Sequence, residues 1–229
     1  MYPHRIRLRG PWECEPLTRS NAGALSPPFP VFPPGRLADL GLPGFAGQVC
    51  FRRRFGYPGR IDAYERVWLV FDGMSDPITI SVNDRKIGVP DRENDGYAVE
   101  VTPLLQTRNE LLVEIDAAND RTVLGSTGLE VRCAAYLRGM RLTMEESNGQ
   151  TQLHVRGEVV GECEEALELY VIVDRHNVAY ERVSPTPAGH PFHLTTESGA
   201  GEWVKVELVR GAMAWYRWDA PFPGSHELP

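Results

Sequence analysis

The chain has 229 residues, of which 42% are hydrophobic and 24% charged, an ordinary balance for a globular protein of one or two domains. Its net charge of −7 argues against nucleic acid and anionic membranes as partners. No apolar run reaches the roughly 20 residues that cross a bilayer, and no hydrophobic segment follows the basic N-terminus as in a signal peptide, so we expect a cytoplasmic protein. The 22 glycines and 19 prolines separate short apolar runs, which indicates an all-β fold.

The first part of the chain contains a strand-like run followed by a proline-rich segment. Polar and apolar residues alternate at residues 5–9, and residues 26–35 then contain prolines at a density that favours extended chain over helix. We interpret this segment as an extended crossing strand whose Phe29 and Phe32 pack on a sheet. The alternative is a peptide-ligand motif, because residues 30–33 have the order Pro-x-x-Pro.

Regularly spaced runs follow, most of which alternate apolar and polar residues. They lie at residues 48–55, 67–71, 78–82, 97–101, 111–115 and 129–135. The run at 67–71 is apolar at every position, which predicts a central strand buried on both faces. Short alternating strands with turn residues between them are typical of a β-sandwich.

The strand pattern restarts near Arg138-Gly139, so we place a domain boundary there and predict domains at residues 1–137 and 138–229. The second domain contains about seven short strand-like runs, which is typical of an immunoglobulin-like sandwich. Its last run contains Trp215, Tyr216 and Trp218. We interpret these aromatic residues as core or interdomain packing, with a sugar-stacking platform as the alternative.

The first domain also carries a series of motifs in a defined order. They are Arg53-Arg54-Phe55, Val70-Phe71-Asp72-Gly73-Met74, Ser81-Val82-Asn83-Asp84, Ile87-Gly88, Tyr97, Val101-Thr102-Pro103-Leu104-Leu105 and Asn109-Glu110-Leu111-Leu112-Val113. In order and spacing these motifs resemble the N-terminal sugar-binding domain of glycoside hydrolase family 2, the group of β-galactosidases, β-glucuronidases and β-mannosidases. Trp12 resembles an early tryptophan of that domain, and Asp84 stands where the family usually has glycine. The resemblance covers residues 5–137 and implies a galactose-binding-like jelly-roll sandwich.

In that family an immunoglobulin-like sandwich and then a catalytic (β/α)8 barrel follow the sugar-binding domain. The resemblance implies the sandwich for residues 138–229 but no barrel, since a barrel needs about 250 residues. The family's catalytic glutamates lie in the barrel, so no catalytic residue is carried over. The motif residues themselves have structural explanations: Gly73 and Asn83-Asp84 suit tight turns, and Asn109 can hydrogen-bond its local backbone where a strand begins.

A polar loop at residues 89–96 is the candidate binding region. The candidate ligand-binding residues are Arg92, Asn94, Asp95 and Tyr97. The amide and carboxylate can hydrogen-bond sugar hydroxyls, the guanidinium can donate to a hydroxyl pair or a uronate carboxylate, and the tyrosine can stack on a pyranose. Tyr97 also lies in phase with Val99 and Val101, which favours burial. A purely solvated loop and a calcium site that includes Asp91 are the alternatives.

No metal or cofactor site is expected elsewhere. The cysteines, which lie in or beside strand-like runs without a Cys-x-x-Cys pair, are Cys14, Cys50, Cys133 and Cys163. We interpret them as small buried hydrophobic residues. His190 and His193 would face opposite sides of a strand and have no adjacent cysteine or acidic residue, so we predict no zinc site there.

The sequence therefore predicts a non-catalytic carbohydrate- or protein-binding scaffold built from glycosidase accessory domains. The alternative is an accessory subunit of a split β-glycosidase whose barrel is on another chain, in which case the immunoglobulin-like domain would expose an apolar patch. A third hypothesis, an enzyme in its own right, needs paired carboxylates in a pocket, and the sequence offers no convincing pair. We expect no hydrolysis of aryl β-galactosides, β-glucuronides or β-mannosides.

Overall fold

The computed structural model describes residues 3–18, 26–75, 77–88, 92–93, 96–117, 123–147, 150–197 and 201–223. In these ranges the chain forms twenty strands and one short 3₁₀ turn, and it contains no α-helix. The all-β class predicted from the glycine, proline and alternation patterns is confirmed.

The first sandwich contains thirteen strands. They are β1 (His4–Arg7), β2 (Trp12–Pro16), β3 (Phe29–Val31), β4 (Gly35–Arg36), β5 (Gly47–Gly56), β6 (Glu65–Asp72), β7 (Pro77–Val82), β8 (Arg85–Gly88), β9 (Arg92–Glu93), β10 (Gly96–Glu100), β11 (Arg108–Ala117), β12 (Val123–Leu124) and β13 (Ser126–Cys133). The 3₁₀ turn, Thr102–Leu104, connects β10 to β11. One sheet has the order β1-β13-β6-β10-β9, the other has the order β3-β2-β5-β11-β7-β8, and β12 pairs with β4. This is the jelly-roll sandwich that the sequence predicts.

The core of this sandwich follows from the alternation in its long strands. On β11 the side chains of Leu111, Val113 and Ile115 are fully buried, while the residues between them are half-buried. Trp12 is buried as well, and its indole Nε1 donates a hydrogen bond to the carbonyl oxygen of Leu8 at 2.9 Å. Each large apolar side chain that is fully buried contributes about 1.5–3 kcal/mol to folding.

The proline-rich segment forms β3, which pairs with β2 through Trp12 opposite Val31 and Cys14 opposite Phe29. The expected extended conformation is confirmed, and Phe29 packs against the core. The expectation that Phe32 also packs on a sheet is wrong, because this side chain is 67% exposed. Side chains three positions apart on a strand point to opposite faces, so the two phenylalanines could not both cover one sheet.

The second sandwich contains seven strands, as predicted. They are β14 (Ala135–Ser147), β15 (Gln150–Gly161), β16 (Leu167–Val173), β17 (His176–Val183), β18 (His190–Glu197), β19 (Trp203–Arg210) and β20 (Met213–Pro221). One sheet has the order β14-β15-β18 and the other has the order β17-β16-β19-β20. An immunoglobulin constant domain divides its seven strands in the same way with one exception. Its fourth strand, which corresponds to β17, lies in the sheet of the first, second and fifth strands.

The C-terminal aromatic residues take part in the core of the second sandwich. Trp215 is fully buried, and Tyr216 and Trp218 are partly buried against the same cluster. The interpretation of these residues as packing residues is confirmed.

The contacts of the chain divide it into two compact units. One consists of Arg5–Asp62 and Arg66–Glu130, and the other of Met1–His4, Ala63–Glu65 and Val131–Pro229. The boundary predicted at 137/138 falls inside β14, and the contact boundary falls inside β13.

A pair of fragments tests where the second domain begins. Cys133, Ala135 and Leu137 belong to the core of the second sandwich. A fragment of residues 138–229 loses all three, so we expect it to be less stable than residues 131–229 by at least about 3 kcal/mol, the scale of one large core truncation. Urea unfolding followed by circular dichroism measures the difference. Equal midpoints for the two fragments would support the boundary at 137/138.

Candidate functional site

A groove of about 770 Å³, lined mostly by polar residues, opens at one end of the six-stranded sheet. It is lined by Arg54, Phe55, Gly56, Asn83, Asp84, Gln106, Thr107, Arg108, Asn109 and Glu110. We call it the Arg54 groove. Arg54 lies opposite Glu110 in the antiparallel pair of β5 and β11, so the last residues of β5 and the first residues of β11 lie side by side. Its volume is in the range of about 300–1,000 Å³ that is typical of small-ligand sites.

The turn between β7 and β8 forms one part of this groove. Val82 pairs with Arg85, which leaves Asn83 and Asp84 as the two central residues, with φ of 50° and 61°. Positive φ at both central residues defines the hairpin turn that best matches strand twist, and Asn and Asp tolerate that conformation. The prediction that Asn83-Asp84 forms a tight turn is confirmed.

Two asparagines hold the groove together through a hydrogen-bond network. The side-chain nitrogen of Asn83, Nδ2, donates to the carbonyl oxygen of Leu104 and to Oδ1 of Asn109, both at 2.8 Å. The side-chain oxygen of Asn83, Oδ1, accepts a hydrogen bond from the backbone N–H of Glu110 at 2.9 Å. Asn109 is buried; its Oδ1 also accepts the N–H of Gln106, and its Nδ2 donates to the Gln106 carbonyl, both at 2.8 Å. The predicted local backbone bonding of Asn109 is confirmed, and these amides have a structural role.

Three charged side chains of the groove, Arg54, Asp84 and Arg108, keep polar atoms open to a ligand. Arg54 donates from Nε to Oε1 of Glu110 at 3.0 Å, which leaves its two terminal nitrogens available, and its side chain is 74% exposed. Within the described ranges no carboxylate pairs with Arg108 and no cation pairs with Asp84. Guanidinium groups bind carboxylates and other paired acceptors through two parallel hydrogen bonds. The groove can therefore hold a hydroxyl-rich ligand that carries an acid group.

A second groove, of about 330 Å³, shares Arg54 with the first. It is lined by Pro11, Trp12, Glu13, Pro28, Phe29, Pro30, Arg52, Arg53 and Arg54. Two of its arginines each use one terminal nitrogen within the protein: Arg52 donates to Glu13 at 2.8 Å, and Arg53 donates to the carbonyl oxygen of Pro11 at 2.9 Å. Exposed pairs of this kind contribute about 0–1 kcal/mol, so they orient the arginines more than they stabilise the fold.

The predicted binding loop is only partly described. Arg92 lies in β9 opposite Tyr97 of β10, and Asn94 and Asp95 lie outside the described residues. The Tyr97 side chain is 5% exposed and belongs to the core, in phase with the neighbouring valines. That burial leaves its ring little surface for stacking, and the four-residue site stays a prediction.

The cysteines are free, and Cys14, Cys50 and Cys133 are buried as expected, whereas Cys163 is partly exposed. Burial raises the pKa of Cys14 and Cys133 to about 12 and that of Cys50 to about 11. At neutral pH all three thiols are therefore protonated and unreactive.

Two features are absent from the described residues. No group of three or more His, Cys, Asp or Glu side chains in this part of the chain is arranged to hold a metal ion. Likewise, no helix in the described ranges is long and apolar enough to cross a membrane.

The Arg54 groove was not predicted from the sequence, although most of the residues that form it belong to the motifs of the first domain. Arg54, Asn83 and Asn109 each belong to a different motif of the first domain. A signal was present, because polar residues that end or begin strands tend to meet at the same edge of a sheet. Finding the groove required the pairing of β5 with β11 and of β11 with β7.

The fold is similar to that of several solved glycosidases. A β-glucuronidase from Bifidobacterium dentium, solved with coumarin-3-O-glucuronide, has 17% identity and a TM-score of 0.68 over 96% of this chain and 49% of that chain. A β-glucuronidase from Bacteroides uniformis has 16% identity and a TM-score of 0.71 over 94% of this chain and 32% of that chain. A glycosyl hydrolase family 2 member from Bacteroides cellulosilyticus has 14% identity and a TM-score of 0.66 over 94% of this chain and 34% of that chain.

These comparisons define a fold. No family model matches the sequence, and no curated protein sequence matches it. The chain spans less than half the length of each of the three structures. It therefore has an all-β fold similar to the N-terminal sandwich domains of family 2 glycosidases.

Proposed function

We propose that the chain is a carbohydrate-binding accessory unit of the glycosidase type, in which the first sandwich binds sugar and does not itself catalyse hydrolysis. The observation that carries this proposal is the fold, which 94–96% of the chain shares with family 2 enzymes and β-glucuronidases. A fold hosts many functions, so the site must supply the specific argument.

The Arg54 groove supports the proposal by its chemistry. Its walls are held by hydrogen bonds of the side-chain amides of Asn83 and Asn109, so the groove is preorganised. The terminal nitrogens of Arg54 and the guanidinium of Arg108 are donors, and Asp84 is an acceptor for hydroxyl groups. A preformed groove lined by a few polar groups is the usual form of a small-ligand site.

The two arginines favour a sugar that carries a carboxylate. The similar structures include β-glucuronidases, one of them bound to a glucuronide. A uronate carboxylate presents two oxygens that match the fork of a guanidinium, and such charge-assisted bonds are about twice as strong as neutral ones. We therefore infer that the ligand class is a glycan containing uronic acid.

The polar loop is a second candidate site for the same function. Arg92, Asn94 and Asp95 could bind hydroxyls or a uronate as the sequence suggests. Tyr97, the fourth residue of that set, would then act from the core beneath the strand pair of β9 and β10.

A glycan array that compares uronate-containing and neutral oligosaccharides, followed by calorimetric titration of the hits, tests the proposal. We expect Arg54→Gln and Arg108→Gln each to weaken binding about tenfold, the equivalent of one charge-assisted hydrogen bond. Arg60→Gln is the matched control, because Arg60 is exposed, pairs with Asp62 and does not line the groove. Each variant must keep the melting temperature of the parent.

The outcomes separate the two sites. Weakening by Asn94→Ala and Asp95→Ala, with Arg54→Gln unchanged, would move the site to the loop. No binding to any glycan, or equal binding by every variant, would overturn carbohydrate binding by the first sandwich.

A second candidate function is docking on a catalytic domain. The outer face of the four-stranded sheet exposes Trp203 and Tyr180, and the Tyr180 ring lies 5.2 Å from that of Tyr170. Exposed aromatic residues on a sheet face favour a protein contact. Co-purification with a barrel protein that is lost on Trp203→Ser would support docking, and unchanged co-purification would exclude this face.

A further inference from the structure

The outer face of the three-stranded sheet of the second sandwich carries two histidines on neighbouring strands. His154 of β15 lies opposite Thr195 of β18, and His193 of β18 lies two positions from Thr195 on the same face. Residues two apart on a strand share a face, so both rings and the threonine hydroxyl lie together. His154 is only 8% exposed, whereas His193 and Thr195 are open to solvent.

The three polar atoms of this group form a compact triangle. Nδ1 of His154 lies 3.1 Å from Nε2 of His193 and 3.1 Å from Oγ1 of Thr195, and the third side, from Oγ1 to Nε2, is 3.5 Å. Two ligands about 2.0–2.1 Å from a tetrahedral zinc ion are about 3.3 Å apart. The triangle therefore has the dimensions of one face of a tetrahedral coordination shell.

The other nitrogen of His154 faces a carboxylate. Its Nε2 lies 3.3 Å from Oε2 of Glu145, and it is a buried atom without a hydrogen bond of good geometry among the described residues. A carboxylate beside one ring nitrogen favours the proton on that nitrogen, which leaves the lone pair on the other. Nδ1 of His154 is therefore the nitrogen that can bind a cation.

His193 is also suited to be a ligand. Its side chain is exposed, so a hydrated metal ion can reach the ring. Imidazole binds metal ions in its neutral form.

We propose that His154 and His193 bind a divalent transition-metal ion of the zinc and copper class through Nδ1 and Nε2. Thr195 Oγ1 and water complete the shell, and Glu145 orients the His154 ring. Imidazole nitrogen suits zinc, copper and nickel, whereas calcium prefers oxygen ligands. The site is independent of the sugar site, because all four residues belong to the second sandwich.

The competing explanation is a plain hydrogen bond between the two rings. A single proton between Nδ1 and Nε2 would also give a separation of about 3 Å. The two explanations differ in whether both ring nitrogens respond to added metal.

Calorimetric titration of the full chain with Zn²⁺, accompanied by ¹⁵N spectra of the histidine rings, tests the proposal. We expect one ion per chain, with shifts at Nδ1 of His154 and Nε2 of His193 and no response to Ca²⁺. His193→Ala removes an exposed ligand and should weaken binding at least tenfold, while Glu145→Gln should weaken it by about 10–100-fold as an orienting group.

His176→Ala is the matched control, because His176 is an exposed strand histidine outside the cluster, and it should leave the affinity unchanged. Failure of the wild-type chain to bind Zn²⁺ would overturn the site. Equal binding by wild type and His193→Ala would overturn it as well, since the ion would then be held elsewhere.

Discussion

Gly161→Ala is expected to destabilise the second sandwich by about 4 kcal/mol or more, the upper end of single-substitution effects. Gly161 ends β15 with φ of 118°, a conformation that residues with a Cβ rarely adopt. A Cβ at this position would lie 1.9 Å from the carbonyl oxygen of Ala134, a backbone atom that cannot rotate away. Because Ala135 pairs with Gly161, relief of the overlap requires separation of β14 from β15.

Amide hydrogen exchange measures this effect in each sandwich separately. Peptides from β14 and β15 should lose protection, with peptides from β5 and β11 as the internal reference. Gly211→Ala is the matched control: its φ of 57° is also left-handed, but no atom lies within 4 Å of the added Cβ. It should cost only about 1–2 kcal/mol. Equal effects of the two substitutions would contradict the close approach at Ala134.

Much of the fold could be predicted from the sequence because strand alternation is a local pattern. The apolar run at residues 67–71 lies in β6. This strand has buried residues on both faces of its sheet, as expected for a run that is apolar at every position. Seven alternating runs in the second domain likewise became seven strands. Each of these predictions depends only on the order of neighbouring residues and on the period of two.

The point at Arg138-Gly139 where the sequence pattern restarts lies inside a strand of the structure. β14 runs through this point without ending, and its pairing with β15 shifts register between Arg138 and Arg141. Gly139 has φ of 62° with open space around it. A glycine can therefore absorb an irregularity inside a strand, and in the sequence it looks the same as a glycine between strands.

The candidate sites depended on contacts that local patterns do not encode. His154 and His193 are 39 residues apart, and they meet only because β15 and β18 pair in one particular register. A shift of that register by one residue would place the two rings on opposite faces. In the sequence His193 has only His190 as a nearby histidine, and no local pattern links it to His154.

The Arg54 groove illustrates the same limit, and also what a motif can supply. The sequence indicated a structural role for Asn83 and for Asn109 separately, one in a turn and one at the start of a strand. The structure joins them through a direct hydrogen bond of 2.8 Å between Asn83 Nδ2 and Asn109 Oδ1. The two residues therefore act as one unit, and a substitution in either should affect both the turn and the strand.

Asn109→Ala is the sharpest test of that unit, and we expect it to destabilise the first sandwich by about 3 kcal/mol. The substitution removes the acceptor for the Gln106 N–H and for Asn83, and the donor to the Gln106 carbonyl. A polar group left without its partner in a buried environment costs about 1–3 kcal/mol, and water can reach part of this region because Gln106 is exposed. Hydrogen exchange in peptides that span β7, β8 and β11 measures the loss.

Gln106→Ala is the matched control for Asn109→Ala. The Gln106 side chain is exposed, and its part in the network comes only from backbone groups that alanine retains. Its effect should stay within about 0.5 kcal/mol, as for other surface substitutions. Asn109→Asp keeps the acceptor but loses the donor, so its cost should fall between those of the other two variants. If Asn109→Ala leaves exchange in the turn of Asn83 unchanged, the two asparagines are energetically independent, and the groove is held by the pairing of β5 with β11 alone.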